Sequence, residues 1–317
     1  MKKALIFGVS GQDGAYLSRF LLSKGYEVHG TSRKIEPESF RNLDLLGIGD
    51  KVKITSVNTQ DFSSVLKIIE AISPDEIYNL AGQSSVARSF THPVETIESV
   101  VIGTMNLLEA IRILEFSIKF YNASSAECYG NRDKPSNELT LFSPNSPYAV
   151  AKAGSFWQTV TYRDSYNLFV CNGILFNHES PLRPEGFVTQ KIVAAACRIA
   201  NGSNEKLKLG NISIIRDWGY APDYVEAMWL MLQQESPNDF VIATGQSHTL
   251  EEFVNAAFST LGIDWKKFVD LDKSLFRPTD IIFSRADPMK SFSMLGWRAS
   301  HSMFDVVKIM IESKIKN

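Results

Sequence analysis

Short apolar runs alternate with amphipathic stretches through the first half of the chain. Residues 4–7 form an apolar run typical of a buried strand, and residues 14–23 carry apolar side chains at helical spacing. The same pattern predicts strands over 27–31, 52–56, 76–80, 119–124 and 168–175, and helices over 63–71, 93–113 and 147–164. Strands that alternate with helices of this length predict a doubly wound α/β fold, with a parallel sheet covered on both faces.

The pattern is weaker after residue 178. We predict loops and short strands over 179–217, helices over 224–234, 250–261 and 303–313, and a strand over 240–243. We therefore expect a dinucleotide-binding domain over 1–178 that returns near 217–245, and a mainly substrate-binding part over 179–317. Because no Pro/Gly/Ser-rich linker separates them, the smaller part is expected to be interleaved with the larger.

Composition excludes several classes of protein. The 317 residues are 44% apolar and 21% charged, which is typical of a globular chain and not of a disordered, collagenous or coiled-coil one. Lys and Arg number 33 and Asp and Glu 35, so the net charge is -2. A broad basic surface for nucleic acid is not expected, and an anionic ligand must be held by local cations.

The apolar segments and the cysteines indicate a cytoplasmic protein. No apolar run is long enough to cross a bilayer, and glycines interrupt the sequence directly after residues 4–7. Cys128, Cys171 and Cys197 are far apart, which predicts reduced thiols and no zinc site. We expect no membrane partner and no metal.

Three glycines join the first predicted strand to the first predicted helix. Gly8, Gly11 and Gly14 allow a tight turn in which backbone N–H groups approach a pyrophosphate at a helix N-terminus. A glycine-rich turn without a ligand is the alternative interpretation. The position between strand and helix favours a dinucleotide site.

The end of the second predicted strand bears on which dinucleotide binds. An NAD site usually has an acidic residue there, whereas this strand ends in Ser32, Arg33 and Lys34. A guanidinium suits a 2′-phosphate, so Arg33 favours NADP over an interpretation as an exposed surface arginine. Asn58 and Thr59 follow the third strand, where the adenine is expected. The fourth strand ends in small residues that fit closely against a cofactor, namely Leu80, Ala81, Gly82 and Ser84.

A second set of residues predicts redox chemistry on a sugar. Tyr148 and Lys152 are four residues apart at the start of a helix, so both lie on one face, and Lys152 is expected to lower the pKa of the phenol. A tyrosinate is a base for a sugar hydroxyl, although this spacing also occurs on solvated helix faces. Ser125 follows the preceding strand. Glu127 adds a carboxylate that could abstract a carbon-bound proton, unless it is a surface loop residue.

These residues resemble the GDP-mannose 4,6-dehydratase family of the extended short-chain dehydrogenases. The similarity covers nearly the whole chain. It is carried by residues 8–14 (Gly-Val-Ser-Gly-Gln-Asp-Gly), 124–127 (Ser-Ser-Ala-Glu), 148–152 (Tyr-Ala-Val-Ala-Lys), 173–181 (Gly-Ile-Leu-Phe-Asn-His-Glu-Ser-Pro), 216–219 (Arg-Asp-Trp-Gly), 276–278 (Phe-Arg-Pro) and 295–297 (Leu-Gly-Trp). The Asn-His-Glu-Ser-Pro run and the Gly-Gln-Asp-Gly loop are specific to this branch.

The resemblance implies roles for further residues. Ser125 stands where the family usually has threonine, Glu127 is the family's acid/base, and Tyr148 and Lys152 keep their usual parts. It adds Ser10, Gln12, Asp13, His178 and Arg183 to the cofactor site. Around a GDP-sugar substrate it places Ser85, Asn177, Val188, Lys191, Leu209, Arg216, Arg277 and Asp280. It also implies a homodimer or homotetramer.

The chain departs from the family pattern at four places. Gln190 replaces an arginine, Glu95 replaces a tyrosine, and Asp280 is the acid nearest to the Arg-Pro pair, where the family has glutamate. Residues 33–36 (Arg-Lys-Ile-Glu) replace an Arg-Arg-Ser loop that in the family reaches a neighbouring subunit's cofactor.

The combined interpretation is an NADP-dependent hydro-lyase that converts GDP-mannose to GDP-4-dehydro-6-deoxy-D-mannose. A dehydratase of another GDP-sugar, such as GDP-manno-heptose, stays open. A 4-epimerase or a 4-keto reductase on the same scaffold would not need Glu127, and an NADP-sensing regulatory protein would not need the hydroxyl, Tyr and Lys set.

Overall fold

The computed structural model describes residues 1–276 and 279–316. The strands are β1 (Lys3–Phe7), β2 (Glu27–Ser32), β3 (Lys53–Ser56), β4 (Glu76–Asn79), β5 (Lys119–Ser125), β6 (Val170–Leu175), β7 (Asn177–Glu179), β8 (Leu207–Leu209), β9 (Ile215–Arg216), β10 (Trp218–Tyr220), β11 (Phe240–Ile242), β12 (His248–Thr249) and β13 (Val269–Leu271). The helices are α1 (Gln12–Ser23), α2 (Arg41–Leu45), α3 (Phe62–Ile72), α4 (Val86–Thr91), α5 (Pro93–Ile97), α6 (Gly103–Leu114), α7 (Pro147–Tyr166), α8 (Val188–Ala200), α9 (Ala221–Leu232), α10 (Leu250–Ser259) and α11 (Met303–Lys316).

Within the described ranges, seven strands form one parallel sheet in the order β11-β6-β5-β4-β1-β2-β3. This confirms the predicted doubly wound α/β class. The order reverses direction between β1 and β4, which is where α/β folds bind ligands beyond the carboxyl ends of the strands. The late strand β11 joins the edge of this sheet beside β6.

Alternate side chains of β1 pack on opposite faces of the sheet, as a strand period of two requires. Ala4 and Ile6 join an apolar cluster with α1 and α9, whereas Leu5 and Phe7 join a cluster with α3 and α6. A separate cluster holds α8, α10 and α11 together with β8 and β13.

Two predictions of secondary structure are wrong in detail. Residues 179–217 contain α8 and not only loops and short strands. Most residues of α8 are buried, including Thr189, Gln190 and Ala194, and its exposed polar face is narrow, formed by Lys191 and Arg198. The predicted helix over 93–113 is divided into α5 and α6 by a π-helical turn at Glu98–Ile102.

No helix among the described residues is long and apolar enough to span a membrane.

A ladder of buried amides crosses the centre of the sheet. Asn79 Nδ2 donates to Asn122 Oδ1 at 3.1 Å, and Asn122 Nδ2 donates to Asn172 Oδ1 at 2.9 Å. Asn172 Nδ2 then donates to Asp239 Oδ1 at 3.0 Å, and Arg163 binds the same carboxylate through two nitrogens. Because these asparagines are also register partners, the ladder links side-chain and backbone pairing of β4, β5 and β6.

We predict that Asn122→Ala destabilises the protein strongly, because it removes partners from the amides of both Asn79 and Asn172. Each buried polar group that loses its partner costs about 1–3 kcal/mol. Urea unfolding measures the change in the free energy of unfolding. Asn201→Ala, at the exposed end of α8, is the control and should change it little. Equal effects of the two substitutions would show that the ladder does not stabilise the sheet.

Candidate active site

The turn between β1 and α1 leaves open space at a helix N-terminus. Gly8 has φ +89°, and a Cβ there would lie 2.9 Å from Ala81 N, while a Cβ on Gly14 would lie 2.4 Å from Gly8 O. Both glycines are therefore required by the packing of the turn itself. A Cβ on Gly11 would meet only Gly8 O, at an ordinary 3.5 Å. The absence of a side chain at Gly11 thus leaves room in front of the first N–H groups of α1, which suits a phosphate.

A first groove runs along this turn and the ends of β2, β3 and β4. Fourteen of the predicted cofactor residues line it: Gly8, Ser10, Gly11, Gln12, Asp13, Gly14, Arg33, Asn58, Thr59, Leu80, Ala81, Gly82, Ser84 and Arg183. The groove therefore brings together the predicted phosphate, ribose and adenine positions, and these residues fit a dinucleotide.

A second groove lies beyond β5, β6 and α7. It is lined by the four predicted catalytic residues Ser125, Glu127, Tyr148 and Lys152, by the predicted cofactor residue His178, and by the predicted substrate residues Ser85, Asn177, Val188 and Arg216. The two grooves share part of their walls, formed by Asp13, Leu80, Ser84, Arg183 and Phe187. A ligand in one groove therefore lies next to a ligand in the other.

The start of α7 fixes Tyr148 and Lys152. Ser146 caps the helix by accepting a hydrogen bond from Ala149 N at 3.1 Å, and Pro147 occupies the first turn. Tyr148 therefore lies in the first turn and Lys152 one turn later. Lys152 Nζ donates to Ala123 O at 2.7 Å and lies 5.9 Å from the centre of the Tyr148 ring.

Burial governs the titration of both side chains. It lowers the pKa of Lys152 to about 8. It raises the pKa of Tyr148, which a hydrogen bond with Ser125 partly opposes and the charge of Glu127 reinforces. Desolvation is the largest influence on the Tyr148 pKa, and its expected lowering by the charge of Lys152 stays a prediction.

Ser125 and Glu127 lie at the carboxyl end of β5. Ser125 caps a 3-10 turn, Ala126–Tyr129, and its Oγ accepts a hydrogen bond from Glu127 N at 3.2 Å. Glu127 is partly exposed, whereas both its neighbours are buried. The cap thus orients a hydroxyl and a carboxylate toward the groove that Tyr148 and Lys152 also line.

An ion pair joins the glycine turn to the segment after β6. His178 Nδ1 lies 2.8 Å from Phe176 O and Nε2 lies 2.8 Å from Asp13 Oδ2. Both partners accept, so both ring nitrogens donate and the ring is protonated. Burial lowers the pKa of His178, but the charge and hydrogen bond of Asp13 raise it by more than burial lowers it. The net pKa of His178 therefore lies above its usual value. The pKa of Asp13 is correspondingly lowered: burial raises it, but His178 lowers it more.

Gln12 reinforces this connection. Its Nε2 donates to His178 O at 3.2 Å, and its Oε1 accepts from Ser180 Oγ at 2.7 Å. Ser180 was not assigned a role from the sequence, although the specific Asn-His-Glu-Ser-Pro run contains it. Its partner is 168 residues away in the chain, so no local pattern could reveal the contact.

Arg183 is oriented by a buried carboxylate that the sequence analysis did not assign. Its Nε lies 3.1 Å from Glu179 Oε2, and its guanidinium lies 3.7 Å from the centre of the Phe187 ring. Thr189 Oγ1 donates to the same Glu179 oxygen at 2.8 Å. Glu179, Phe187 and Thr189 all line the second groove.

The remaining predicted substrate residues are dispersed. Arg216 is 5% exposed, and its Nη2 lies 3.7 Å from Asp280 Oδ1. Lys191 Nζ donates to Lys208 O at 3.0 Å, and Leu209 is buried in the cluster around α8 and α10. Among the described residues, Lys191, Leu209 and Asp280 do not line either groove. Arg277 lies outside the described residues.

Among the described residues, no three or more His, Cys, Asp or Glu side chains form a group that could hold a metal ion.

Solved structures with the same architecture show which fold the chain has. The UDP-glucose 4-epimerase of Thermus thermophilus, in complex with NAD, is 24% identical, with a TM-score of 0.85 and 98% of each chain covered. The dTDP-glucose 4,6-dehydratase DesIV of Streptomyces venezuelae, with NAD and TYD bound, is 23% identical, with a TM-score of 0.88 over 99% of this chain and 97% of that one. The chain has the same fold as these two enzymes.

Sequence similarity identifies the family. The model of the family described as GDP-mannose 4,6 dehydratase matches residues 5–310. GDP-mannose 4,6 dehydratase 1 of Arabidopsis thaliana is 46% identical over 99% of this chain and 90% of the relative. The GDP-mannose 4,6-dehydratase of Vibrio cholerae is 41% identical over 99% of this chain and 94% of the relative. The chain belongs to the GDP-mannose 4,6-dehydratase family, which confirms the resemblance, and it is an enzyme of the hydro-lyase type.

We predict that the Asp13–His178 pair stabilises the fold in a limited pH range. Because the pKa of His178 is raised in the folded protein, this residue contributes stability that is complete below the ordinary histidine pKa of 6.5. That stability is lost as the pH rises through the pKa of His178 in the folded protein. Because the pKa of Asp13 is lowered in the folded protein, this residue contributes stability that is complete above the ordinary aspartate pKa of 3.8. That stability is lost as the pH falls through the pKa of Asp13 in the folded protein. Asp13→Asn should therefore lower the melting temperature most between pH 3.8 and pH 6.5, the ordinary pKa values of the two side chains.

Melting temperatures measured from about pH 4 to pH 9 test this expectation. The gap between wild type and Asp13→Asn should narrow as the pH rises above the folded pKa of His178. Asp50→Asn, at an exposed position, is the control and should show no such pH-dependent gap. A gap of constant size over this range would mean that His178 is not charged.

Proposed function

We propose that this protein is an NADP-dependent GDP-mannose 4,6-dehydratase that forms GDP-4-dehydro-6-deoxy-D-mannose. The observation that carries the proposal is the carboxylate of Glu127, which lines the same groove as Ser125, Tyr148 and Lys152. Oxidation and reduction at carbon 4 need the hydroxyl, Tyr and Lys set alone, whereas loss of water needs a further acid/base. Membership of the dehydratase family supports the same assignment.

The side chains divide the reaction between them. When bound, the dinucleotide supplies a hydride acceptor for carbon 4 and a hydride donor for carbon 6. Tyr148 takes the proton of the 4-hydroxyl, and Ser125 hydrogen-bonds that oxygen. The resulting ketone acidifies the proton on carbon 5, which Glu127 removes and passes to the departing 6-hydroxyl, so that one water leaves. A proton then returns to carbon 5 to complete the 6-deoxy product.

The first groove supports the choice of a nicotinamide dinucleotide, and Arg33 supports NADP. Gly11 leaves room for the pyrophosphate at the start of α1, and Asn58 and Thr59 lie where the adenine is expected. Arg33 and Lys34 directly follow β2 and line the groove, and no acidic residue stands at this end of the strand. The cationic Lys152 is available to the ribose of the nicotinamide half below its pKa of about 8.

The part of the chain after residue 178 supplies the sugar side of the second groove. Val188 from α8 and Arg216 from β9 line it, and both precede the return of the chain to the sheet at β11. A buried guanidinium suits the diphosphate of a GDP-sugar in a chain with net charge -2. We assign this role to Arg216 and extend it to Arg277 by family similarity.

We predict that Glu127→Gln retains ligand binding but stops dehydration. The amide is nearly isosteric with the carboxylate and cannot take a proton, and general acid–base help is worth roughly 10²–10⁴-fold in rate. The variant should form NADPH in a single turnover, exchange little solvent deuterium into carbon 5, and release almost no 6-deoxy sugar from GDP-mannose.

Two further variants make the result specific. Tyr148→Phe should stop the reaction earlier and form no NADPH, whereas Glu226→Gln, exposed on α9, should react like wild type. Turnover of GDP-mannose by Glu127→Gln near the wild-type rate would reject the dehydratase mechanism. The same product analysis with GDP-manno-heptose distinguishes the two GDP-sugars.

We predict that Arg33→Ala lowers NADP affinity and leaves NAD affinity nearly unchanged. Loss of a charged hydrogen bond to the 2′-phosphate costs about 1–3 kcal/mol of binding free energy. Calorimetric titration with each dinucleotide measures the effect. A wild-type preference for NAD that Arg33→Ala does not alter would reject NADP as the cofactor.

A further inference from the structure

A carboxylate from α5 contacts the cation at the end of β2. Glu95 Oε1 lies 3.7 Å from Arg33 Nη1, and Glu95 Oε2 accepts a hydrogen bond from Arg88 Nη2 at 2.8 Å. Of Arg33, Glu95 and Arg88, only Arg33 lines the first groove. Glu95 therefore lies beside the groove, in contact with the guanidinium that faces it.

The position of Glu95 opposes the charge that favours a 2′-phosphate. A phosphate monoester carries about -1.5 to -2 charges near neutral pH. The field that Arg33 presents to it is reduced by a carboxylate a few ångströms away. A ribose 2′-hydroxyl carries no charge, so the same carboxylate has little effect on NAD.

Exposure sets the size of this effect. The Arg33 side chain is 65% exposed and that of Glu95 is 29% exposed, so water and salt screen the interaction. Exposed charge pairs change an equilibrium constant by up to about fivefold. The effect is therefore expected to alter selectivity between dinucleotides without deciding whether a dinucleotide binds.

We propose that Glu95 is a specificity-determining residue that lowers the preference for NADP over NAD by neutralising Arg33. The proposal rests on the proposed dinucleotide site in the first groove. It predicts that the protein binds both dinucleotides with a smaller difference in affinity than Arg33 alone would produce. Removing the charge of Glu95 should increase that difference.

The test compares the dissociation constants of NADP, NAD and the fragment 2′,5′-ADP for wild type and Glu95→Gln. At low salt the variant should bind NADP and 2′,5′-ADP more tightly, by up to about fivefold, which is the largest factor expected for an exposed charge pair, with NAD unchanged. The gain should shrink as salt is added. Glu98→Gln removes the same charge one turn further along the chain, at an exposed position, and should leave the NADP/NAD ratio unchanged.

Combining the substitution with Arg33→Ala separates the ways in which Glu95 could act. If Glu95 acts through Arg33, Glu95→Gln should have a much smaller effect in the Arg33→Ala background. An equal gain in both backgrounds, no gain, or weaker NADP binding would each overturn the proposal, the last because Glu95 would then orient Arg33 and not neutralise it.

The outcome is independent of the cofactor assignment. Wild type could prefer NAD, and Glu95→Gln could still shift the ratio toward NADP through Arg33. The proposed NADP dependence would then be wrong, and the role of Glu95 would stand.

Discussion

The parallel pairing of β1, β4, β5 and β6 is the constraint on which both grooves depend. Parallel strands end at the same edge of a sheet, so segments that are far apart in the chain meet there. Phe7 is the register partner of Asn79, and Ser125 is that of Leu175. A shift of one residue would turn every side chain to the opposite face. The amide ladder through Asn122 opposes such a shift, because it is satisfied only in the observed register.

The shared wall of the two grooves is held by a charged pair, in which His178 is buried and Asp13 is partly exposed. Asp13 and His178 are 165 residues apart, and their ion pair fastens the glycine turn to the segment that follows β6. A buried charge is tolerated only when it is paired, so either partner alone would be unfavourable. The turn that accommodates the cofactor and the segment that borders the substrate are therefore positioned together.

Arginines of both grooves already have carboxylate partners. Arg183 contacts Glu179, Arg216 contacts Asp280, and Arg33 contacts Glu95. A chain with net charge -2 thus presents local cations without a basic surface, and an anionic ligand must share each cation with a resident carboxylate. Burial distinguishes the three pairs, since Glu179 and Arg216 are almost fully buried whereas Arg33 is exposed to solvent.

The sequence by itself determined the alternation of strands and helices along the chain, the glycine turn, and the Tyr148 and Lys152 pair. These depend on local spacing: apolar runs for strands buried on both faces, and four residues for one helical face. Tertiary structure decided that Tyr148 has a raised pKa and Lys152 a lowered one, and that Lys191 contacts Lys208 O. It also paired Asp13 with His178. Each of these depends on burial or on contacts between distant segments, and neither is encoded in the spacing of neighbouring residues.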